Sequence, residues 1–319
     1  MRLVSIIVPC YNEAEVLPLF YPAICEVAEE CRAQDCEFEY IFVDDGSADN
    51  TLGVVKQLAE TDPRVKYVSF SRNFGKEAAM FAGLEAAGGE LVAIMDADLQ
   101  DPPALIPEMI RILDTEPYDC VGSRRVTRKG EPVIRSFFAR MFYKIMRKMS
   151  KTEIVDGARD FRLMKRKMVD AILSMREYNR FSKGIFSWVG FRTKWLEYEN
   201  IERAAGETKW SFRKLLLYSI DGMVAFSTAP LAFSSVTGLI LCLASFIALI
   251  IVFVRQLIWH NSVGGWASAM CIVFFLSGVQ LFCNGILGQY LAKTYMEVKR
   301  RPIYVVSESN VDTANEKRD

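Results

Sequence analysis

Histidine is nearly absent from this 319-residue chain, which holds only His260, and its eight cysteines form no Cys-x-x-Cys pair. These shortages exclude a histidine-based zinc site, a Ser-His-Asp triad and a regularly spaced disulfide scaffold. No Gly-x-Gly-x-x-Gly run follows an apolar strand, which disfavours a nicotinamide-dependent enzyme. The cysteines predict free, buried thiols in a reducing compartment.

Net charge is also missing, because 39 Lys and Arg balance 39 Asp and Glu, but the charges are unevenly placed. Residues 1–122 hold 8 basic against 23 acidic residues, whereas residues 123–227 hold 24 against 11. A basic block directly before an apolar region favours contact with anionic membrane lipid. No interleaved aromatic and basic motif of a nucleic-acid domain occurs, so we expect no nucleic-acid partner.

Charge is absent from two long stretches near the C-terminus, Leu231–Val254 and Trp266–Leu291. Each can cross a hydrocarbon core of about 30 Å as a helix, although a pair of buried core helices is the alternative. Basic residues flank the pair on both sides: Lys209, Arg213, Lys214, Lys293, Lys299, Arg300 and Arg301. The positive-inside rule predicts a two-helix hairpin in the inner (cytoplasmic) membrane, with both termini in the cytoplasm.

Apolar runs in the N-terminal part predict strands at Leu3–Val8, Tyr40–Val43, Val65–Phe70 and Leu91–Met95. Helical stretches alternate with these strands, so we expect a mostly parallel α/β sheet covered on both faces. Polar clusters come directly after three strands, and the carboxyl ends of parallel strands are where α/β sheets bind ligands.

The sharpest of these clusters is Asp96-Ala97-Asp98. Two carboxylates at a strand end can share one small hard cation, or one can bind metal while the other takes a ribose hydroxyl. Mg²⁺ characteristically takes one or two carboxylates and completes its shell with phosphates and water. A solvated pair of aspartates in a turn is the alternative interpretation.

Four ordered motifs in the chain resemble the family 2 glycosyltransferases, in the branch that acts on polyprenyl phosphate. That branch includes bactoprenol glucosyltransferases and dolichyl-phosphate mannose synthases. The motifs are Val8-Pro9-Cys10-Tyr11-Asn12-Glu13, Val43-Asp44-Asp45-Gly46-Ser47, Ser71-Arg72-Asn73-Phe74-Gly75-Lys76-Glu77 and Ile94-Met95-Asp96-Ala97-Asp98-Leu99-Gln100-Asp101-Pro102-Pro103. Gly206–Trp210 and Arg301-Pro302-Ile303-Tyr304 agree with the same branch. The resemblance implies a GT-A-like, Rossmann-like, mostly parallel sheet domain with amphipathic interface helices and a C-terminal transmembrane hairpin.

The resemblance also assigns roles on the donor side. The nucleotide-sugar site would comprise Pro9, Tyr11, Asn12, Glu13, Asp45, Arg72, Lys76, Asp96 and Ala97. Asp98 and Gln100 would hold Mg²⁺ or Mn²⁺ on the diphosphate, with Asp96 nearby. An ordinary charge pair at a helix start is the alternative for Arg72 and Lys76.

On the acceptor side, the resemblance offers Arg124, Arg135 and Lys209 for the lipid phosphate. Residues 135–149 interleave basic and apolar side chains, which is typical of a helix lying in a headgroup layer or of a core-facing helix with a solvated basic face. Asp160 matches the catalytic position of the bactoprenol branch, and Asp156 matches that of the mannose synthases. Asp160 is favoured as base or orienter, with Asp96 nearby; a salt bridge to Arg159 or Arg162 is the alternative.

Together these features predict a cytoplasmic catalytic domain at 1–205, whose halves are a nucleotide-sugar half at 1–122 and an acceptor half at 123–205. An interface helix at 206–228, two transmembrane helices at 229–292 and a cytoplasmic tail at 293–319 follow. The tail from Ser307 is polar and predicted to be disordered. The resemblance further implies a homotetramer and a functional link to a flippase.

The predicted reaction is an inverting transfer of a hexose, with UDP-glucose as the favoured donor, to polyprenyl phosphate for modification of a cell-envelope glycan. GDP-mannose, UDP-N-acetylglucosamine and UDP-aminoarabinose remain alternative donors, since these branches share the motifs. A processive polysaccharide synthase is disfavoured because no Gln-x-x-Arg-Trp motif occurs. A non-catalytic membrane scaffold is a further alternative, which the complete Asp96, Asp98 and Gln100 set argues against.

Overall fold

The structure is a computed structural model that describes residues 1–125, 155, 157–198, 224–225, 227–259 and 265–311. The described residues divide into two compact units. One unit joins the N-terminal residues up to 198 with the segment that begins at Arg301, and the other contains two long apolar helices.

The first unit is built on one eight-stranded sheet with the order β7-β5-β6-β4-β1-β2-β3-β8. The strands are β1 Arg2–Cys10, β2 Cys36–Asp44, β3 Val65–Phe70, β4 Leu91–Ile94, β5 Cys120–Arg125, β6 Ala158–Lys165, β7 Thr193–Tyr198 and β8 Val306–Ser309. Strands β4, β1, β2 and β3 are mutually parallel, as the apolar runs predict. Strand β6 is antiparallel to both β4 and β5, so the sheet is mixed but mostly parallel.

Within the described residues of this unit, six helices follow or connect the strands. They are α1 Leu17–Cys31, α2 Thr51–Thr61, α3 Lys76–Ala86, α4 Ile106–Thr115, α5 Arg166–Ser174 and α6 Ser182–Trp188, with short 3-10 turns at Arg32–Gln34 and Pro103–Leu105. Alternate side chains of β1 point to opposite faces. Val4, Ile6 and Val8 join the core formed with α1 and α4, whereas Ile7 packs against α3 at Gly83. Both faces of the sheet are therefore covered, as expected.

The segment after the second long helix does not match its prediction. Residues from Ser307 were predicted to be disordered, but Val306–Ser309 forms strand β8, antiparallel to β3, with Phe70 opposite Val306. Asn310 extends this pairing, since its side-chain oxygen accepts the Tyr67 N–H at 2.6 Å. The disorder prediction is thus wrong for residues 307–311, while residues 312–319 lie outside the described part.

The second unit consists of α7 Ala229–Trp259 and α8 Trp266–Val298, which contact each other. Both helices are long and apolar enough to cross a membrane, and large apolar side chains such as Phe246 and Phe274 are 61% and 72% exposed. Buried core helices would not expose such side chains, so the two helices fit the predicted hairpin. Helix α8 continues to Val298, beyond the predicted boundary at residue 292.

All eight cysteines are free thiols, in agreement with the absence of a disulfide pattern. Cys10, Cys31, Cys36 and Cys120 are buried as predicted. The prediction of burial is wrong for Cys242 and Cys271, which are exposed on α7 and α8 together with the large apolar side chains of these helices.

Gly83 offers a direct test of how α3 packs on the sheet. A Cβ atom at this position would lie 2.1 Å from Cγ2 of Ile7, whose side chain is fully buried. Alanine is the better helix former by about 1 kcal/mol, but overpacking a rigid core costs about 1–3 kcal/mol. We therefore expect Gly83→Ala to lower the melting temperature, measured by intrinsic fluorescence.

Gly88→Ala provides the matched control for that test, because a Cβ there would meet its nearest atom at an ordinary 3.5 Å. We expect little change in the melting temperature of this variant. A Gly83→Ala protein as stable as the unmodified chain would contradict the close contact between α3 and β1.

Candidate active site

The polar motifs meet at one edge of the sheet because β4, β1, β2 and β3 are parallel neighbours. Their carboxyl ends lead into the residues that follow Val8, Val43, Phe70 and Met95 in sequence. This is the edge at which α/β sheets bind ligands. The structure thus brings the motif-bearing loops of the predicted donor site together at one edge.

The loop after β1 is fixed to the loop after β2. Asn12 has a left-handed backbone (φ 54°), a conformation that asparagine tolerates better than most residues. The Asn12 side-chain oxygen accepts the Ala48 N–H at 2.8 Å, and the Asn12 N–H donates to the Ser47 hydroxyl at 2.9 Å. The neighbouring side chain of Tyr11 is 38% exposed.

Two further donor-site candidates lie in the same pair of loops. Pro9 stands opposite Val43 in the β1–β2 register. The Glu13 N–H donates to the Thr51 hydroxyl at 2.8 Å, which ties the β1 loop to the start of α2. The predicted residues Pro9, Tyr11, Asn12 and Glu13 are therefore held next to the loop that carries Asp45.

Asp45 faces the loop that follows β3. Its carboxylate accepts the Phe74 N–H at 2.6 Å and the Gly75 N–H at 2.9 Å, while Gly46 lies against the backbone of Arg72. Burial raises the pKa of Asp45 to about 6, although the two N–H donors lower it in part. The carboxylate therefore binds the chain's own 74–75 backbone and holds the loop that carries Arg72.

Lys76 forms the electrostatic centre of the site. Its ammonium nitrogen lies 2.6 Å from Oδ1 of Asp96 and 2.6 Å from Oδ2 of Asp160. All three side chains are at most about one-third exposed. The alternative pairing of Asp160 with the side chain of Arg159 or Arg162 is not what the structure shows, because the cation on Asp160 is Lys76.

The pKa values of the cluster follow from this arrangement. Burial by itself raises the pKa of Asp160, but the charge of Lys76, with a contribution from Lys183, outweighs it and holds the pKa well below the usual range. Burial lowers the pKa of Lys76, and the two carboxylates more than reverse that effect. Asp160 is thus a fixed anion and a weak proton acceptor at neutral pH.

Asp160 reaches the site through the antiparallel strand β6. In the register of β4 and β6, Ile94 stands opposite Arg162. Two residues earlier on β6, Asp160 therefore stands beyond the carboxyl end of β4, beside Asp96. Arg162 stabilises the start of β6, because its buried guanidinium donates to the Asp160 carbonyl at 3.2 Å.

The turn after Asp96 is tight. Ala97 is buried, and Leu99 has a left-handed backbone (φ 55°), a conformation that costs a non-glycine residue of order 1–3 kcal/mol. The Gln100 N–H donates to the Asp98 carboxylate at 3.1 Å, which closes the turn. This geometry places the side chains of Asp98 and Gln100, the predicted metal ligands, on one short turn.

A buried network that the sequence analysis missed supports this turn. The Asp101 carboxylate accepts hydrogen bonds from the Tyr198 hydroxyl and from Nε of Arg159, and Nη2 of Arg159 lies 3.4 Å from Oε1 of Gln100. Asp101 is 1% exposed, and burial raises its pKa. No local pattern predicts this network, because its hydrogen-bonded pairs lie 58, 59 and 97 residues apart in sequence.

A metal ion fits the donor set at this turn only with help from a ligand. Within the described residues, no group of three or more His, Cys, Asp or Glu side chains is placed to hold a metal. Mg²⁺ ordinarily takes one or two carboxylates and completes its shell with phosphate oxygens and water. The pair Asp98 and Gln100 fits that requirement and not a site made of protein ligands alone.

Of the four remaining predicted site residues, the structure describes Arg124. Arg124 lies on β5, is 40% exposed and stands 3.6 Å from Glu197. Asp156, Arg135 and Lys209 lie outside the described residues, as do the amphipathic stretch 135–149 and the motif 206–210. Those predictions remain predictions.

The raised pKa of Asp45 has a consequence for stability against pH. A buried aspartate with a raised pKa binds its proton more tightly in the folded state than in the unfolded state. The folded protein therefore loses stability as pH rises from about 4 to about 6. The substitution Asp45→Asn removes this pH dependence, because asparagine does not titrate. We therefore expect the melting temperature of the unmodified chain to fall, relative to that of Asp45→Asn, between pH 4.5 and pH 7.5.

The other titrating groups contribute equally to both melting temperatures, so their effects cancel in the difference. Asp170→Asn, at an exposed position on α5, is the control and should track the unmodified chain at every pH. A difference between Asp45→Asn and the unmodified chain that does not vary with pH would show that Asp45 titrates normally.

The chain is similar to known proteins over nearly its whole length. A model of glycosyl transferase family 2 matches residues 5–173. The glycosyltransferase-named protein CsbB of Bacillus subtilis is 45% identical over 309 residues, which cover 97% of this chain and 92% of that protein. A prophage bactoprenol glucosyl transferase homolog of Escherichia coli is 39% identical over 303 residues, which cover 95% of this chain and 98% of that protein.

Among solved structures, the mannosyl-3-phosphoglycerate synthase of Rubrobacter xylanophilus is similar with a TM-score of 0.48 and 17% identity. The similarity covers 70% of this chain and 72% of that one, and it is too remote to bear on the substrate. The match of the family model and the two close relatives decide the assignment instead. The chain belongs to glycosyl transferase family 2, and it is a glycosyltransferase.

Proposed function

We propose that this glycosyltransferase moves a hexose, with inversion, from a nucleotide sugar to polyprenyl phosphate at the cytoplasmic face of the membrane. UDP-glucose is the donor that we favour, because the relative in Escherichia coli is named as a bactoprenol glucosyl transferase homolog. The observation that carries the proposal is the Lys76 cluster. It places one cation and two carboxylates at the edge where the donor loops meet, in a chain with two membrane-compatible helices.

The reaction requires one bond to form and one to break. A phosphate oxygen of the acceptor attacks the anomeric carbon, and the bond from that carbon to the nucleotide diphosphate breaks with its electron pair on the leaving oxygen. The second pKa of a phosphate monoester is near 6, so the acceptor is mostly dianionic at neutral pH. The attacking oxygen therefore carries no proton that the enzyme must remove.

This chemistry agrees with the environment of Asp160. A carboxylate whose pKa is lowered by Lys76 is a poor general base but a good fixed charge. Asp160 would orient Lys76, and Lys76 would face the negative charge that develops on the departing diphosphate. Of the two roles offered by the resemblance, base or orienter, we propose the orienting role.

A divalent ion, Mg²⁺ or Mn²⁺, would share the task of neutralising the diphosphate when bound. Asp98 and Gln100 would hold it, because Asp96 is engaged by Lys76. Arg72 would stand near the diphosphate on the opposite loop. Asp45 would keep that loop in place while Tyr11, Asn12 and Glu13 face the nucleoside.

The acceptor would approach through the membrane surface. The basic excess of residues 123–227 and the apolar helices α7 and α8 support a lipid acceptor, with Arg124, Arg135 and Lys209 as the proposed phosphate ligands. The positive flanks of the two helices support a topology in which both termini face the cytoplasm. A homotetramer and a partner flippase would complete the proposed assembly.

The reaction class can be tested with detergent-purified protein, radiolabelled UDP-glucose, undecaprenyl phosphate and Mg²⁺. We expect label to enter the organic phase and EDTA to stop the transfer. Asp98→Ala should lower the rate by about 100-fold or more, the size expected when stabilisation of a leaving group is removed.

Asp170→Ala is the control for that assay, since Asp170 is exposed on α5, and its rate should stay within about twofold. GDP-mannose and UDP-N-acetylglucosamine, offered in parallel, identify the donor if UDP-glucose gives no product. Failure of every donor in a protein that still binds UDP would overturn the proposed transfer to polyprenyl phosphate.

The role of Asp160 gives a separate prediction. We expect Asp160→Asn to lower kcat by about 10- to 100-fold, because Lys76 loses one of its two anchors. With saturating donor, the fall in kcat below pH of about 6 should persist in the variant, since it reports ionisation of the acceptor phosphate. Disappearance of that acidic limb in Asp160→Asn would instead identify Asp160 as the base.

A further inference from the structure

The segment Arg301–Val311, here named the C-terminal strap, packs against β3. This strand leads into the loop Ser71–Gly75, here named the donor loop. Strand β8 within it pairs with β3, and the Ser71 N–H donates to the Val305 carbonyl at 3.0 Å. Ser71 is the first residue of the loop Ser71–Gly75, which carries Arg72. The strap therefore holds this loop by a backbone hydrogen bond at the point where it leaves the sheet.

Tyr304 makes the most buried contact of the strap. It is 1% exposed, its ring stacks on Phe70 with centroids 4.8 Å apart at 20°, and its hydroxyl donates to Glu85 at 2.6 Å. Phe70 is the last residue of β3, and Glu85 lies on α3. Tyr304 thus bridges the strand before the donor loop and the helix after it.

The contacts continue from Tyr304 into the donor loop itself. Phe70 packs edge-on against Phe74 at 5.8 Å, and the Arg72 guanidinium lies 4.0 Å from the centroid of the Phe74 ring. On the other side, Asp45 accepts the Phe74 N–H. The orientation of Arg72 therefore depends on Phe74, which is held between Asp45 and the Tyr304–Phe70 stack.

We propose that Tyr304 is a positioning residue for the donor site, which acts through Phe70 and Phe74 on Arg72. The inference rests on the proposed function, in which Arg72 faces the nucleotide diphosphate. Tyr304 itself touches no reacting atom. Its removal should weaken the binding of the nucleotide and leave the chemical step intact.

The test compares Tyr304→Ala with Tyr304→Phe in the full-length protein. We expect Tyr304→Ala to raise the KM for the donor and the Kd for UDP about tenfold, equivalent to about 1.4 kcal/mol, with kcat within about twofold. Tyr304→Phe keeps the ring stack, so its KM and Kd should stay within about twofold of the unmodified values. A lower kcat at unchanged KM, or a phenylalanine variant as impaired as the alanine variant, would overturn the proposal.

Lys56→Ala is the matched control, because it breaks the exposed ion pair between Lys56 on α2 and Glu308 on the strap. Such surface pairs contribute little, so donor binding should not change. Tyr304→Leu, which keeps apolar volume without the ring, replaces Tyr304→Ala if the latter does not fold, and it should give the same tenfold rise in KM.

A second readout needs no nucleotide and separates this proposal from the proposed function. Hydrogen–deuterium exchange of the unliganded protein should become faster at residues 71–75 in Tyr304→Ala or Tyr304→Leu and stay unchanged in the rest of the sheet. Unchanged exchange at residues 71–75 would overturn the positioning role. An unmodified protein that binds no nucleotide would overturn the proposed function alone, since the exchange result still decides the role of Tyr304.

Discussion

The contact of Lys76 with both Asp96 and Asp160 is the interaction on which the site depends. Two carboxylates brought together at the edge of a sheet repel each other, and the cost is paid either by protonation or by a cation between them. Here the cation comes from the first residue of α3. One side chain therefore joins Asp96, in the turn that follows β4, to the antiparallel strand β6 that carries Asp160.

This arrangement also explains why the sheet is mixed. A purely parallel sheet would deliver acidic side chains to the edge only from strand ends, as β4 does. Strand β6 runs the opposite way, so its first residues start at that same edge and lead away from it. Strand β6 thereby brings Asp160 to this edge near its own first residues, and buried Arg162 donates to the Asp160 and Arg159 carbonyls there.

Much of the fold was predictable from the sequence because its signals are local. The runs at Leu3–Val8 and Tyr40–Val43 are continuous and apolar, and each is followed at once by polar residues, which indicates both a buried parallel strand and its active edge. The position of Asp98 at this edge was predictable for the same reason, because it follows the apolar run Leu91–Met95. The proximity of Asp160 to Asp96 was not, because it is set by a strand register between residues far apart in sequence, and only the family resemblance indicated a role.

The misses have physical causes of their own. Strand β8 is the short polar sequence Val-Ser-Glu-Ser, which has no apolar alternation, and it is ordered by pairing with β3 rather than by its own preference. The left-handed backbone of Leu99 gave no signal, because leucine is not a residue that favours that conformation. In both cases the surrounding structure imposes a local conformation that the sequence alone does not favour.

Strand β8 makes the sheet sensitive to truncation of the chain. β3 would be an edge strand without it, and an edge strand with unpaired N–H and C=O groups is a template for association with other chains. The strand that covers this edge comes from beyond both apolar helices in the chain order. A fragment that ends before α7 would keep Asp96, Asp98 and Asp160 but would lack β8. Its β3 would then be an exposed edge strand, and we expect such a fragment to self-associate.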